Sequence, residues 1–213
     1  MIMNIQKWTK IFGTGLIVGG FAGWFAAFTL LFERIEFLKG NLAMPSCSVN
    51  VFINCGRVFN SAYASLFGFP NVIIGLTLFP MAIVAGILFL SNTQVKSWVW
   101  KLGRIPLYGA IIFCFVLLYM TAFLIGAVCL WCMLAWTATF LIAYSYIALT
   151  NYQDADEAGK ARLLRNWNAG YPLVWFGLFS VFFIGMLYAS WWINDNGYWS
   201  DFPHFDPFYW LKK

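Results

Sequence analysis

Two cysteine pairs hold the reactive groups of this sequence. Cys129 and Cys132 are spaced C-x-x-C at the start of an apolar run. At a helix N-terminus the positive end of the dipole and unpaired amides favour a thiolate, so a lowered thiol pKa is expected there. Cys47 and Cys55 stand eight positions apart in a polar, mobile segment. That spacing closes a disulfide of modest strain and still lets it swing toward a second pair. Exchange proceeds by thiolate attack on a disulfide sulfur, so two pairs within reach of each other make a relay.

Plainer readings exist for each pair. Cys47 and Cys55 fit a static stabilising disulfide in an exposed loop, and Cys129 and Cys132 fit small buried apolar residues. A zinc site is possible on count, but of the spacings C-x7-C and C-x2-C only the second is usual for ligands. A c-type haem needs C-x-x-C-H, and Met133 follows Cys132. The single histidine, His204, excludes bis-histidine haem ligation. Cys114, in the middle of an apolar run, reads as ordinary packing. No metal site is expected.

The elements that must position these cysteines are membrane helices. Of 213 residues, 62% are apolar and 10% charged, against about a quarter charged in soluble domains. Runs of about 20 apolar residues cross the hydrocarbon. They are expected over 11–32, 69–90, 105–128, from the C-x-x-C turn to about 149, and 171–193, which makes an all-α integral membrane bundle with a four-helix core and a fifth transmembrane helix. The first run follows Lys7 and Lys10 but is too long for a signal peptide and lacks a small-residue cleavage site, so a retained helix is expected.

Glu33, Arg34 and Glu36 end the first span, and 39–60 is too polar to cross a bilayer. From Gly56 to Phe67 the apolar residues Val58, Phe59, Ala62, Tyr63, Leu66 and Phe67 recur at helical spacing, as in a short amphipathic helix at the interface. Pro106 is placed in the first turn of the third span, where its missing N–H breaks no bond. Almost no loop separates the third and fourth spans. A hydrophilic stretch, 151–168, leads to the fifth. Two regions result: a four-helix catalytic core over 1–149, then over 150–213 a cytoplasmic loop, the fifth span and an aromatic extracytoplasmic tail.

Orientation follows from Lys and Arg. Lys7, Lys10, Lys96, Lys101, Arg104, Lys160, Arg162 and Arg165 share one side; Arg34, Lys39, Arg57, Lys212 and Lys213 share the other. The richer side is expected in the cytoplasm. Both cysteine pairs then face the extracytoplasmic side of the cell membrane, where disulfides persist. The net charge of +5 thus reflects topology and not nucleic acid.

Electrons entering a bilayer-facing dithiol need a lipid-soluble acceptor, because the chain has no flavin or nicotinamide motif. A quinone requires a flat apolar cleft and one or two hydrogen bonds to its oxygens. Asn71, at the start of the second span, is a candidate donor; its plainer reading is a cap beside Pro70.

These residues resemble the vitamin K epoxide reductase family, especially its bacterial members. The resemblance rests on Cys47-Ser-Val-Asn-Val-Phe-Ile-Asn-Cys55-Gly-Arg-Val-Phe59-Asn-Ser61, then Phe69-Pro-Asn71-Val-Ile-Ile-Gly75, then Cys129-Leu-Trp-Cys132, in that order. It covers about 11–149, and the fifth span resembles the extra helix of actinobacterial members. It implies a membrane enzyme that reoxidises a secreted thioredoxin-like (DsbA-like) protein and passes the electrons to menaquinone or ubiquinone.

By that resemblance Cys47 meets the partner's thiol, Cys55 attacks the disulfide at Cys129, and Cys132 faces the quinone. It further implies that Ser61 is a hydroxyl near the active site, Phe59 an aromatic beside the quinone, and Asn71 the amide that bonds its oxygen. Trp136, also expected at the quinone, stands where the animal enzymes have tyrosine, a departure that leaves open whether vitamin K epoxide is also reduced. Some bacterial members carry a fused thioredoxin-like domain; here a separate partner is expected.

The competing class is a non-catalytic membrane subunit that holds a metal or a partner through the same cysteines. Quinone-dependent consumption of thiols separates the two. A transporter is disfavoured because the spans as drawn contain no ionisable residue of the kind that couples ions.

Overall fold

The computed structural model describes residues 5–42, 45–48, 53–168, 184–185 and 188. The expected fifth span, the aromatic tail and His204 lie outside these residues, apart from three isolated positions. Among the described residues the elements are α1 (Ile5–Leu38), α2 (Cys55–Asn60), a 3-10 turn (Ala62–Ser65), α3 (Val72–Leu90), α4 (Ser97–Tyr119), a π-helical turn (Met120–Ile125), α5 (Leu130–Asp154) and α6 (Glu157–Asn168). Four of the helical segments are long and apolar enough to cross a membrane. The chain is therefore an all-α membrane bundle.

α1 lies between α3 and α5, and α4 packs on α5. Helices in lipid gain no hydrophobic drive from meeting each other, so close van der Waals contact must hold them. Glycines on α1 permit that approach. A Cβ on Gly86 of α3 would stand 2.8 Å from the Gly13 carbonyl oxygen, and one on Gly23 would strike the Phe79 ring. On the next face of α1, Gly15 and Gly19 form a small-xxx-small step under Ser145 and Ile142 of α5. Phe21, Phe25, Phe28, Phe32, Met81, Val84 and Ile112 remain exposed, the arrangement expected of a lipid-facing surface.

Several boundaries differ from expectation. α1 continues through Glu33, Arg34 and Glu36 to Leu38, because these charged groups find polar partners and need not leave the helix. α4 begins at Ser97, so Pro106 sits inside the helix and not in its first turn. The preceding Trp98–Arg104 segment is amphipathic, with Trp98 exposed and Trp100 buried, and winds on as helix. The stretch after α5 forms α6, and Trp167 packs 4.9 Å from Phe12 and 5.8 Å from Trp8, ring to ring.

The expected single amphipathic helix over 56–67 is two pieces. Ser61 is extended (φ −74°, ψ 146°), and its hydroxyl donates to the Val58 carbonyl at 2.7 Å, which ends α2. Arg34 then captures the 3-10 turn, donating to the Ala64 carbonyl at 2.9 Å and to Ser65 Oγ at 2.8 Å.

Candidate functional site: a sulfur cluster at one end of the bundle

Two local structures bring the cysteine pairs together. The π-helical turn ends at Gly126, whose φ of +63° reverses the chain at little cost to a residue without a Cβ. Val128 then forms an isolated parallel bridge with Ile53, and the Asn54 amide donates to the Val128 carbonyl at 3.0 Å. The residue after each partner of this hydrogen bond is a cysteine, Cys55 after Asn54 and Cys129 after Val128.

Cys55 and Cys129 each also stand at a helix start. Asn54 caps α2, its Oδ1 accepting the Arg57 amide at 3.1 Å. Cys129 caps α5, its sulfur accepting the Cys132 amide at 3.4 Å. The expected C-x-x-C at a helix N-terminus is therefore observed.

Cys47 and Cys55 are joined by a disulfide with their Cα atoms 5.8 Å apart, while Cys129 and Cys132 are unbridged. The sulfurs of Cys47, Cys55 and Cys129 all lie within 4.8 Å of one another. That separation lets the Cys129 sulfur meet the loop disulfide after a small side-chain movement. Three such sulfurs are also close enough to meet one ion, but a disulfide sulfur offers no thiolate to a metal.

The cluster is buried and mostly apolar. Leu30, Phe59 and the three sulfurs are buried together, flanked by Phe37, Val58, Val72, Trp131 and Cys132. Cys47 is 3% exposed.

Cys132 is half-buried and also borders a second cluster of Cys114, Leu118 and Trp136, with Met133 and Phe140 beside it. A thiol at a seam of aromatic and aliphatic side chains suits the flat apolar ring of a quinone. Cys114 packs in that cluster, as expected of a residue in the middle of a span.

The four residues expected at a quinone do not form one group. Phe59 lies in the first cluster, 6.2 Å from the Phe37 ring, and Trp136 in the second. Asn71 makes no capping bond to α3, contrary to the plainer reading of it. Its Oδ1 accepts the Leu66 amide at 3.0 Å and its Nδ2 donates to the Tyr63 carbonyl at 2.7 Å, fastening the loop before the helix. Ser61 lines an open groove of about 550 Å³ together with Phe37, Arg57, Tyr63 and Leu124; the other three residues do not line it.

Sequence reasoning missed Glu33. The carboxyl of Glu33 is buried at 8% exposure, accepts a hydrogen bond from Ser46 Oγ and approaches Cys47 Sγ to 3.9 Å. Read as one of a charged run that ends a span, it carried no sign of this; only its distance to a cysteine fourteen positions on reveals it.

The family model described as Vitamin K epoxide reductase family matches residues 15–147. The chain belongs to the vitamin K epoxide reductase family. The matched region contains the four cysteines of the two pairs, Glu33, the second and third spanning helices and most of the first and fourth. Membership makes the chain a membrane oxidoreductase of the disulfide–quinone class. Quinone is the electron partner that the vitamin K epoxide reductase family generally uses. The comparison with curated proteins returned no match.

Proposed function

We propose that this vitamin K epoxide reductase family member is a thiol oxidase that re-forms the disulfide of a separate, secreted thioredoxin-like (DsbA-like) protein. The observation that carries the proposal is the approach of the Cys47, Cys55 and Cys129 sulfurs to within 4.8 Å.

A partner thiolate attacks Cys47. The Cys47–Cys55 bond breaks, a mixed disulfide forms, and the electron pair leaves on Cys55. The partner's second thiolate attacks its own sulfur in that mixed disulfide, and the oxidised partner departs from Cys47. Cys55 then attacks the oxidised Cys129–Cys132 pair at Cys129, and the electron pair leaves on Cys132. Cys47 attacks Cys55 to restore the loop disulfide and free Cys129. One turn moves two electrons from the partner's two thiols to the Cys129–Cys132 dithiol.

A bound quinone, menaquinone or ubiquinone, would supply the acceptor for two electrons and two protons beside Cys132. Phe59 and Trp136 would flank its ring, and Ser61 would lie near its edge. Asn71 Nδ2 has two hydrogens, one given to Tyr63; the second would meet a quinone oxygen. By the Lys and Arg distribution the N-terminus is cytoplasmic, and the sulfur cluster faces the extracytoplasmic side of the cell membrane.

The test is quinone reduction by the purified protein in detergent, with a reduced thioredoxin-like protein as donor and ubiquinone-1 as acceptor. Turnover by the parent and by Cys114→Ala, with loss in Cys55→Ala and Cys132→Ala, supports the relay. A parent that reduces no quinone with any of several donors and acceptors overturns it in favour of a non-catalytic subunit that holds a metal or a partner.

A further inference from the structure

Glu33 is a carboxyl without a cation. It is 8% exposed, and among the described residues no ion pair includes it. Its charged neighbours in sequence are engaged elsewhere: Arg34 holds the 3-10 turn, and Glu36 bonds Lys39 and Asn41. A carboxyl buried at the end of a membrane helix is costly and is retained where it does chemistry.

The Glu33 carboxyl is also aimed. Oε1 accepts the Ser46 hydroxyl, and that Ser46 oxygen accepts the Trp131 indole N–H at 3.4 Å. The other oxygen, Oε2, faces Cys47 Sγ at 3.9 Å. Trp131 lies between the two cysteines of the C-x-x-C turn, so a polar chain runs from that turn through Ser46 and Glu33 to Cys47. In the disulfide state Cys47 has no proton to share, and the carboxyl stands beside a sulfur that acquires one only during exchange.

We propose that Glu33 is the proton donor and acceptor of Cys47, held in place by Ser46 and Trp131. The inference rests on the thiol-oxidase reading above. When the oxidised partner departs, the mixed disulfide breaks and the electron pair leaves on Cys47 sulfur. The Glu33 carboxylic acid gives that sulfur its proton and becomes a carboxylate. When the Cys47 sulfur later attacks Cys55 to re-form the loop disulfide, the Glu33 carboxylate takes the proton back. Glu33 ends each cycle as it began, and the two protons of the partner's thiols leave with the electrons.

Three variants divide the chemistry from the support. Glu33→Gln keeps an acceptor for Ser46 and loses the proton; Glu33→Ala opens a space for a small acid; Ser46→Ala keeps the carboxyl and loosens it. Two measurements are made on detergent-purified protein. One is ubiquinone-1 reduction with dithiothreitol as donor. The other is the rate at which dithiothreitol opens the loop disulfide, read by N-ethylmaleimide labelling and mass.

A positioned acid–base group contributes about 10²–10⁴ in rate. Glu33→Gln is expected to lower both rates by at least about a hundredfold, the low end of that range, with an unchanged thermal midpoint. Formate is expected to restore part of the rate to Glu33→Ala and none to Glu33→Gln. Ser46→Ala is expected to fall in between.

Parental rates in Glu33→Gln overturn the proposal, as does a rate loss in Glu33→Ala that formate leaves untouched. If the parent opens its loop disulfide normally and reduces no quinone, the thiol-oxidase reading fails. The labelling rates of parent and Glu33→Gln still decide the role of Glu33.

Discussion

The Asn54 amide bonds the Val128 carbonyl at 3.0 Å, and the residue after each partner is a cysteine of a different pair. One backbone hydrogen bond thus sets the register between loop and turn. A slip of one residue would turn the neighbouring side chains to the opposite side, as in any extended pairing.

Asn54→Pro removes this donor, and its fixed φ conflicts with the observed −147°. Transfer between the pairs is expected to slow by about tenfold or more, as a loss of roughly 1.5 kcal/mol in positioning implies, while the loop disulfide still forms. Stopped-flow oxidation of the reduced protein by ubiquinone-1, with alkylation to count thiols, reads the two events separately.

With Cys47 and Cys132 both replaced by Ser, Cys55 and Cys129 are left as neighbours. Their sulfurs lie within 4.8 Å, so mild oxidation is expected to join them in one monomer. A shift on non-reducing gels, reversed by dithiothreitol, together with the cross-linked peptide by mass, checks this. Two free thiols after oxidation would mean that the pairs do not meet.

Asn71→Ala removes the acceptor for the Leu66 amide and the donor to the Tyr63 carbonyl. Two hydrogen bonds at about 0.5–1.5 kcal/mol each give an expected loss of about 1–3 kcal/mol, seen as a lower thermal midpoint in detergent. If Asn71 also meets the quinone, KM for ubiquinone-1 rises as well. An unchanged KM alongside the lower midpoint would confine Asn71 to fastening the loop.

Gly86→Ala is expected to push α1 and α3 apart, because its new Cβ would sit 2.8 Å from the Gly13 carbonyl oxygen. Backbone cannot rotate away as a side chain does. A loss of about 1–3 kcal/mol is typical of overpacking, measured by thermal unfolding, whereas Gly109→Ala, with open space around it, should change little.

The sequence by itself determined the membrane bundle, its four described spans and the C-x-x-C at a helix start. Composition and apolar run length answer directly to the bilayer, and helix caps are local. The polar 39–60 segment and the motif order also singled out the two cysteine pairs as candidates.

Local reasoning went astray where distant groups intervene. Glu33 and Arg34 read as the end of a span, yet α1 continues through them because Ser46, Ala64 and Ser65 supply their partners. The plainer reading of Asn71 was a cap, and its amide instead spans the loop from Tyr63 to Leu66.

Only the tertiary structure decided that Cys47, Cys55 and Cys129 share one cluster, that Cys132 borders two, and that Glu33 stands at Cys47. Sulfur-to-sulfur and carboxyl-to-sulfur distances depend on how α1 and α5 pack and on one bridge between residues 75 positions apart. No periodicity or spacing along the chain carries that information.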